Sequence, residues 1–203
     1  MGLNSGRTFL SLVLGVVLFL AVVNAFLILR APNEHKYDPH IANVVRQYPI
    51  DPHIVRAVIW RESNFDPTVL GKAQERGLMQ VTPTAGKEWA KSAKVENFHE
   101  DDLYDPYTNI KAGTWYLTRA MRRYADRDDP LAFALAEYNA GRSNVLRWID
   151  PENPMSRDAF MSHMDFPSTR KYVDTIEARY ERYKTSADDP WWKQWINRLL
   201  RRG

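Results

Sequence analysis

The chain has 203 residues, 44% of them apolar, which is enough for one compact domain plus extra segments. Its 28 basic and 25 acidic residues are interleaved and leave a net charge of only +3, so nucleic-acid binding is not suggested. The absence of cysteine excludes disulfides, thiol nucleophiles, thiolate metal sites and a lipid-bearing cysteine.

From Thr8 to Leu29 no charge interrupts the apolar run, and Asn24 is its only strongly polar residue. As a helix of about 1.5 Å per residue this run spans roughly 33 Å, the thickness of a bilayer core. Residues 1–30 therefore read as a transmembrane or signal-anchor helix, with Val23-Asn24-Ala25 as a possible cleavage triplet. Arg7 precedes the run, while Arg30 and Lys36 follow it, so charge encodes orientation only weakly. The polar stretch 31–39 reads as a tether, and 40–186 as the folded domain.

That domain reads as a succession of short helices. Asp51-Pro52, Thr82-Pro83, Asp105-Pro106 and Asp129-Pro130 each pair a capping residue with proline, the pattern of a helix start. The third pair is expected to stand about one turn ahead of its helix. In the first of these helices Val55, Val58, Ile59 and Glu62 recur at helical spacing on one stripe. Three belong in a core, and the fourth is a carboxyl. Desolvation and the negative end of the helix both disfavour its charged form, which is what a general acid requires. A glutamate near a helix end can equally be a solvated surface residue.

Between Pro67 and Gly77 at most a short hairpin is expected. Gly77-Leu78-Met79-Gln80 follows: glycine suits a tight backbone, Leu78 and Met79 can line a groove, and Gln80 offers a donor and an acceptor. Ile110, Gly113, Leu117, Ala120, Met121 and Tyr124 form a helical face, as do Leu131, Leu135 and Tyr138 before a stop at Gly141. In Glu137-Tyr138-Asn139 the ring and the amide suit a ligand bearing N-acetyl groups. Ser168 is expected to cap a last helix with Tyr172, Val173, Ile176, Tyr180 and Tyr183 on its inner side. Taken singly, each cluster also has an ordinary reading as a turn, a helix end or packing. Residues 187–203 contain Trp191, Trp192, Trp195, Leu199 and the basic Lys193, Arg198, Arg201 and Arg202. This tail suits either a membrane interface or docking on the domain.

The ordered set Glu62-Ser63, Gly77-Leu78-Met79-Gln80, Asp105-Pro106-x-x-Asn109-Ile110-x-x-Gly113-x-x-Tyr116-Leu117, Tyr138-Asn139-Ala140-Gly141 and Thr169-Arg170-x-Tyr172-Val173 resembles the catalytic domain of soluble-type bacterial lytic transglycosylases, glycoside hydrolase family 23. The resemblance covers roughly residues 40–185. It implies a mostly α, lysozyme-like fold with a deep substrate groove. It also implies cleavage of the β-1,4 bond between N-acetylmuramic acid and N-acetylglucosamine in peptidoglycan, giving a 1,6-anhydro product without metal or cofactor. Glu62 is the implied acid and base, with Ser63 beside it or the substrate. Gly77, Leu78, Met79 and Gln80 are the implied groove floor. Tyr138 and Asn139 would face the sugar, and Tyr172 would position Glu62. A protein with this activity belongs in the bacterial cell envelope, outside the cytoplasmic membrane. Glu137 departs from the family pattern, which often has a small or apolar residue before the Tyr-Asn pair. It can be solvated, structural, or close to the cleft, where it would keep a two-carboxylate hydrolysis open.

Overall fold

The structure, a computed structural model, describes residues 4–30 and 33–185. The chain divides into two units, Met1–Asn33 and Glu34–Gly203. The first contains one helix, α1 (Asn4–Arg30). Its described side chains, Phe9, Leu10 and those from Leu12 to Val23, are exposed except for the partly covered Val23. Among the described residues no helix is long and apolar enough to cross a membrane. The basic, Trp-rich tail lies outside the described residues.

The second unit is helical, as the patterning requires. In order it contains α2 (Asp38–Val45), α3 (Pro52–Ser63), α4 (Pro83–Ala93), a short 3-10 helix (Glu100–Tyr104), α5 (Pro106–Arg123), α6 (Pro130–Ala140), α7 (Arg142–Trp148), α8 (Arg157–His163) and α9 (Pro167–Thr185). All four capping residue–proline pairs open helices. Asp51 accepts from the His53 N–H, Thr82 from Ala85, Asp105 from Thr108, and Asp129 from Leu131 and Ala132. Each such cap contributes about 1 kcal/mol. The third helix thus begins at Pro106 itself, not a turn later, because Asp105 is its direct cap. The last helix also starts earlier than expected. Pro167 occupies its first turn and the Phe166 carbonyl accepts from Thr169, so Ser168 lies inside it.

α3 packs on α9, α9 on α6, and α6 on α5, with α2 and α4 also against α5. The seam is made by Val55, Val58, Ile59, Leu117, Phe133, Leu135, Val173 and Ile176, all fully buried. Phe133 stacks on Phe160 with ring centroids 4.0 Å apart, and Trp148 closes that side. Extended structure among the described residues is limited to isolated antiparallel bridges, Leu70 with Arg76 and Arg76 with Val81.

Part of the expected tether is taken up into this unit. Tyr37 is buried, and Glu34 accepts from Arg179 and from the Tyr183 hydroxyl. The Arg179 guanidinium stacks 4.3 Å from the Trp60 ring centroid, which fastens the stretch to both α3 and α9.

Candidate active site

Glu62 stands in the last turn of α3, which ends where Asn64 turns left-handed (φ 50°). Its helix carries the buried stripe beneath it, and the side chain is half-buried. Tyr172, buried on the facing helix α9, donates its hydroxyl to Glu62 Oε1 at 2.5 Å. No cation pairs with this carboxyl among the described residues. Burial pushes its pKa up to about 7, the largest effect. The Tyr172 hydrogen bond and the Arg61 charge pull it back down, and the Glu75 charge pushes it up. With Oε1 occupied as an acceptor, the proton belongs on Oε2. Burial and the neighbouring Glu62 push the Tyr172 hydroxyl well above its ordinary range, so it acts as a donor.

The Gly-Leu-Met-Gln segment lies against the end of α3, but not with the expected faces. Ser63 is buried and donates to the Ile59 carbonyl at 3.2 Å and the Leu78 carbonyl at 2.8 Å. It therefore ties the two segments together and does not reach Glu62 or open solvent. Leu78 and Met79 are fully buried, so their side chains lie beneath the groove and do not line it. Met79 contributes its backbone: the N–H donates to Asn109 Oδ1 and the carbonyl accepts from the Tyr138 hydroxyl at 2.8 Å. Gly77 has φ +73°, and an added Cβ would meet Asn109 Nδ2 and the Leu103 carbonyl at 2.5 Å. Asn109 is the keystone here. Its amide also donates to the Arg76 and Leu103 carbonyls, so one fully buried side chain holds the Arg76–Met79 loop against the 3-10 helix. Gln80 donates to the Val69 and Gly77 carbonyls and keeps its own carbonyl oxygen available.

A cavity of about 260 Å³ adjoins these residues, with Gln80, Thr84, Gly113, Tyr116, Tyr138 and Asn139 in its lining. Glu62 lies outside that lining, close enough to Tyr138 for its charge to raise the phenol's pKa. Tyr116 packs edge-on against Tyr138, centroids 5.7 Å apart. Asn139 is exposed. Its Oδ1 accepts from Thr169 at 2.8 Å, which fixes the amide and leaves the N–H2 facing out.

The Transglycosylase SLT domain matches residues 40–160. The chain belongs to that family. Over 127 residues, 60% of this chain, it is 35% identical to membrane-bound lytic murein transglycosylase C of Haemophilus influenzae, covering 36% of that protein. The 70 kDa soluble lytic transglycosylase of Escherichia coli has the same fold, with a TM-score of 0.67 and 28% identity. That similarity covers 77% of this chain and 25% of the other. The complex of the 70 kDa enzyme with bulgecin A gives a TM-score of 0.69 at 26% identity, over 76% of this chain and 25% of that one. The chain thus spans only about a quarter to about a third of the length of these relatives.

Within this SLT domain Glu137 is close to the cleft, as part of the same cavity lining, but it is neither solvated nor a free second acid. It is only 2% exposed. One oxygen accepts from Arg123 and the other from the Tyr124 hydroxyl at 2.6 Å. Both partners sit at the end of α5, so the carboxylate pins α6 to α5. A carboxyl whose charge acts on Glu62 is Glu75, which sequence spacing gave no reason to single out.

Proposed function

We propose that this SLT domain is a peptidoglycan lytic transglycosylase, cleaving the β-1,4 bond between N-acetylmuramic acid and N-acetylglucosamine without water. The observation that carries this reading is Glu62, an acid kept protonated near neutral pH by burial and held by a phenol on a second helix. Neutral Glu62 donates its proton to the leaving glycosidic oxygen as the bond to the anomeric carbon breaks. The substrate's N-acetyl group assists at that carbon. The ionised Glu62 then takes the proton of the muramoyl 6-hydroxyl, whose oxygen bonds to the anomeric carbon. Atoms balance with no water and no cofactor, and one essential carboxyl suffices because the nucleophile is the substrate's own.

In this reading Tyr172 orients Glu62, and Tyr138 and Asn139 face the sugar at the scissile bond. Gln80 offers its carbonyl to a hydroxyl or amide. Gly77, Leu78 and Met79 shape the floor through their backbone, and Ser63 holds that floor to α3. The deep groove of the resemblance corresponds to the cleft between Gln80 and the Tyr138-Asn139 pair. We further propose that residues 1–30 anchor the protein in a bacterial membrane with the domain on the extracytoplasmic side. The apolar run from Thr8 to Leu29 and the continuous helix Asn4–Arg30 support this.

The test is digestion of purified sacculi, with product ends identified by mass spectrometry. Anhydromuramoyl ends are expected. Reducing ends would instead mean a hydrolytic muramidase, and no release a non-catalytic glycan-binding module.

A further inference from the structure

Glu75 closes the turn between the bridged residues Leu70 and Arg76. The Gly71 N–H donates to the Glu75 carbonyl at 2.7 Å, and Glu75 Oε2 accepts from the Ala73 N–H at 2.8 Å. The carboxylate is seated there by a missing side chain. A Cβ on Gly71 would stand 2.2 Å from Glu75 Oε2 and 2.8 Å from Gln80 Oε1, so both side-chain ends occupy the space the glycine leaves and a Cβ would displace them. Those two oxygens therefore lie within about 5 Å of each other. Gln80 is part of the cavity lining, together with Tyr138 and Asn139, whereas Glu75, like Glu62, stands just outside that lining. Glu75 is half-buried, no cation pairs with it among the described residues, and its second oxygen has no protein donor there.

We infer that Glu75 is a carboxylate at the edge of the cleft, set beside Gln80, which stabilises the positive charge that develops at the anomeric carbon of the bound sugar. The inference rests on the proposed transglycosylase reading and deepens it. Glycosidic cleavage passes through a cationic, oxocarbenium-like centre. A fixed anion near that centre is worth most where water is excluded. No covalent step is assigned to Glu75: the 6-hydroxyl remains the nucleophile and Glu62 the proton carrier. The interaction already felt by Glu62 agrees with this placement. Of the groups facing that carboxyl, Tyr172 and Arg61 lower its pKa, while Glu75 raises it.

The discriminating variant is Glu75→Gln in the full chain. Glutamine keeps the acceptor for the Ala73 N–H and loses only the charge, so a turn-closing role alone would leave activity intact. The expected result is a fall in kcat of about tenfold or more with KM little changed. The alkaline limb of the pH profile should move downward, because a like charge is removed from Glu62. The products should remain anhydro ends. Gly71→Ala provides a second route: it displaces the carboxylate while retaining its charge, and the same loss of kcat is expected. Wild-type kcat and pH profile in both variants would overturn the inference, as would a change in the kind of product end. Failure of the wild-type chain to release any product would instead overturn the transglycosylase reading itself.

Discussion

Two glutamates on helices that both pack against α9, Glu62 half-buried and Glu137 buried, have opposite chemistry. Glu62 is met by one neutral donor, the Tyr172 hydroxyl, and by no paired cation among the described residues. Its desolvation is only partly offset, and the proton stays on up to about pH 7. Glu137 is more deeply buried, yet an Arg123 ion pair and the Tyr124 hydroxyl occupy both its oxygens. The pair lesson is that burial alone does not make a general acid. Burial without a counter-charge does, whereas burial with one makes a structural clamp.

This contrast can be broken from either side. Glu62→Gln keeps the shape and removes the proton cycle, and a loss of about a thousandfold or more in product release from sacculi is expected. The same substitution should stabilise the fold at high pH. A carboxyl whose folded pKa lies above its unfolded one contributes stability that is fully present below the ordinary carboxylate range. That contribution is lost as pH rises to about 7, on the order of 3 kcal/mol. Urea unfolding should therefore show a difference between wild type and variant that is small at pH 4 and grows to its full size by pH 8.

Arg123→Ala attacks the other glutamate and leaves a buried carboxylate without its cation. A destabilisation of about 3–5 kcal/mol is expected in urea unfolding, with product chemistry unchanged in whatever remains folded. Tyr172→Phe removes the donor that favours the ionised form of Glu62. The alkaline limb of the pH–rate profile should then rise above pH 7, with kcat lowered about tenfold through lost orientation. An unchanged limb would detach Tyr172 from the acid. Smallest is Ser63→Ala, which deletes a buried hydroxyl bonded to two carbonyls. A loss of about 1 kcal/mol in stability and little change in product ends should be measured, since this side chain faces away from the cleft.

Much of this was determined by the sequence itself. The four capping residue–proline pairs, the stripe under Glu62 and the stop at Gly141 are local signals. They work through backbone geometry and helical period, which need no knowledge of the fold. The ordered motifs also carried the family. What sequence spacing could not decide was which atoms of those motifs face the cleft. Ser63, Leu78 and Met79 stand in the right segments but point inward, because Asn109, from thirty residues further on, claims the Met79 N–H and sets the orientation of that loop. The fates of Glu62, Glu75 and Glu137 were likewise settled only by tertiary packing. A carboxyl's charge depends on which partners other helices and turns bring within a few ångströms, and those partners lie from 13 to 110 residues away in the chain for the two helical glutamates.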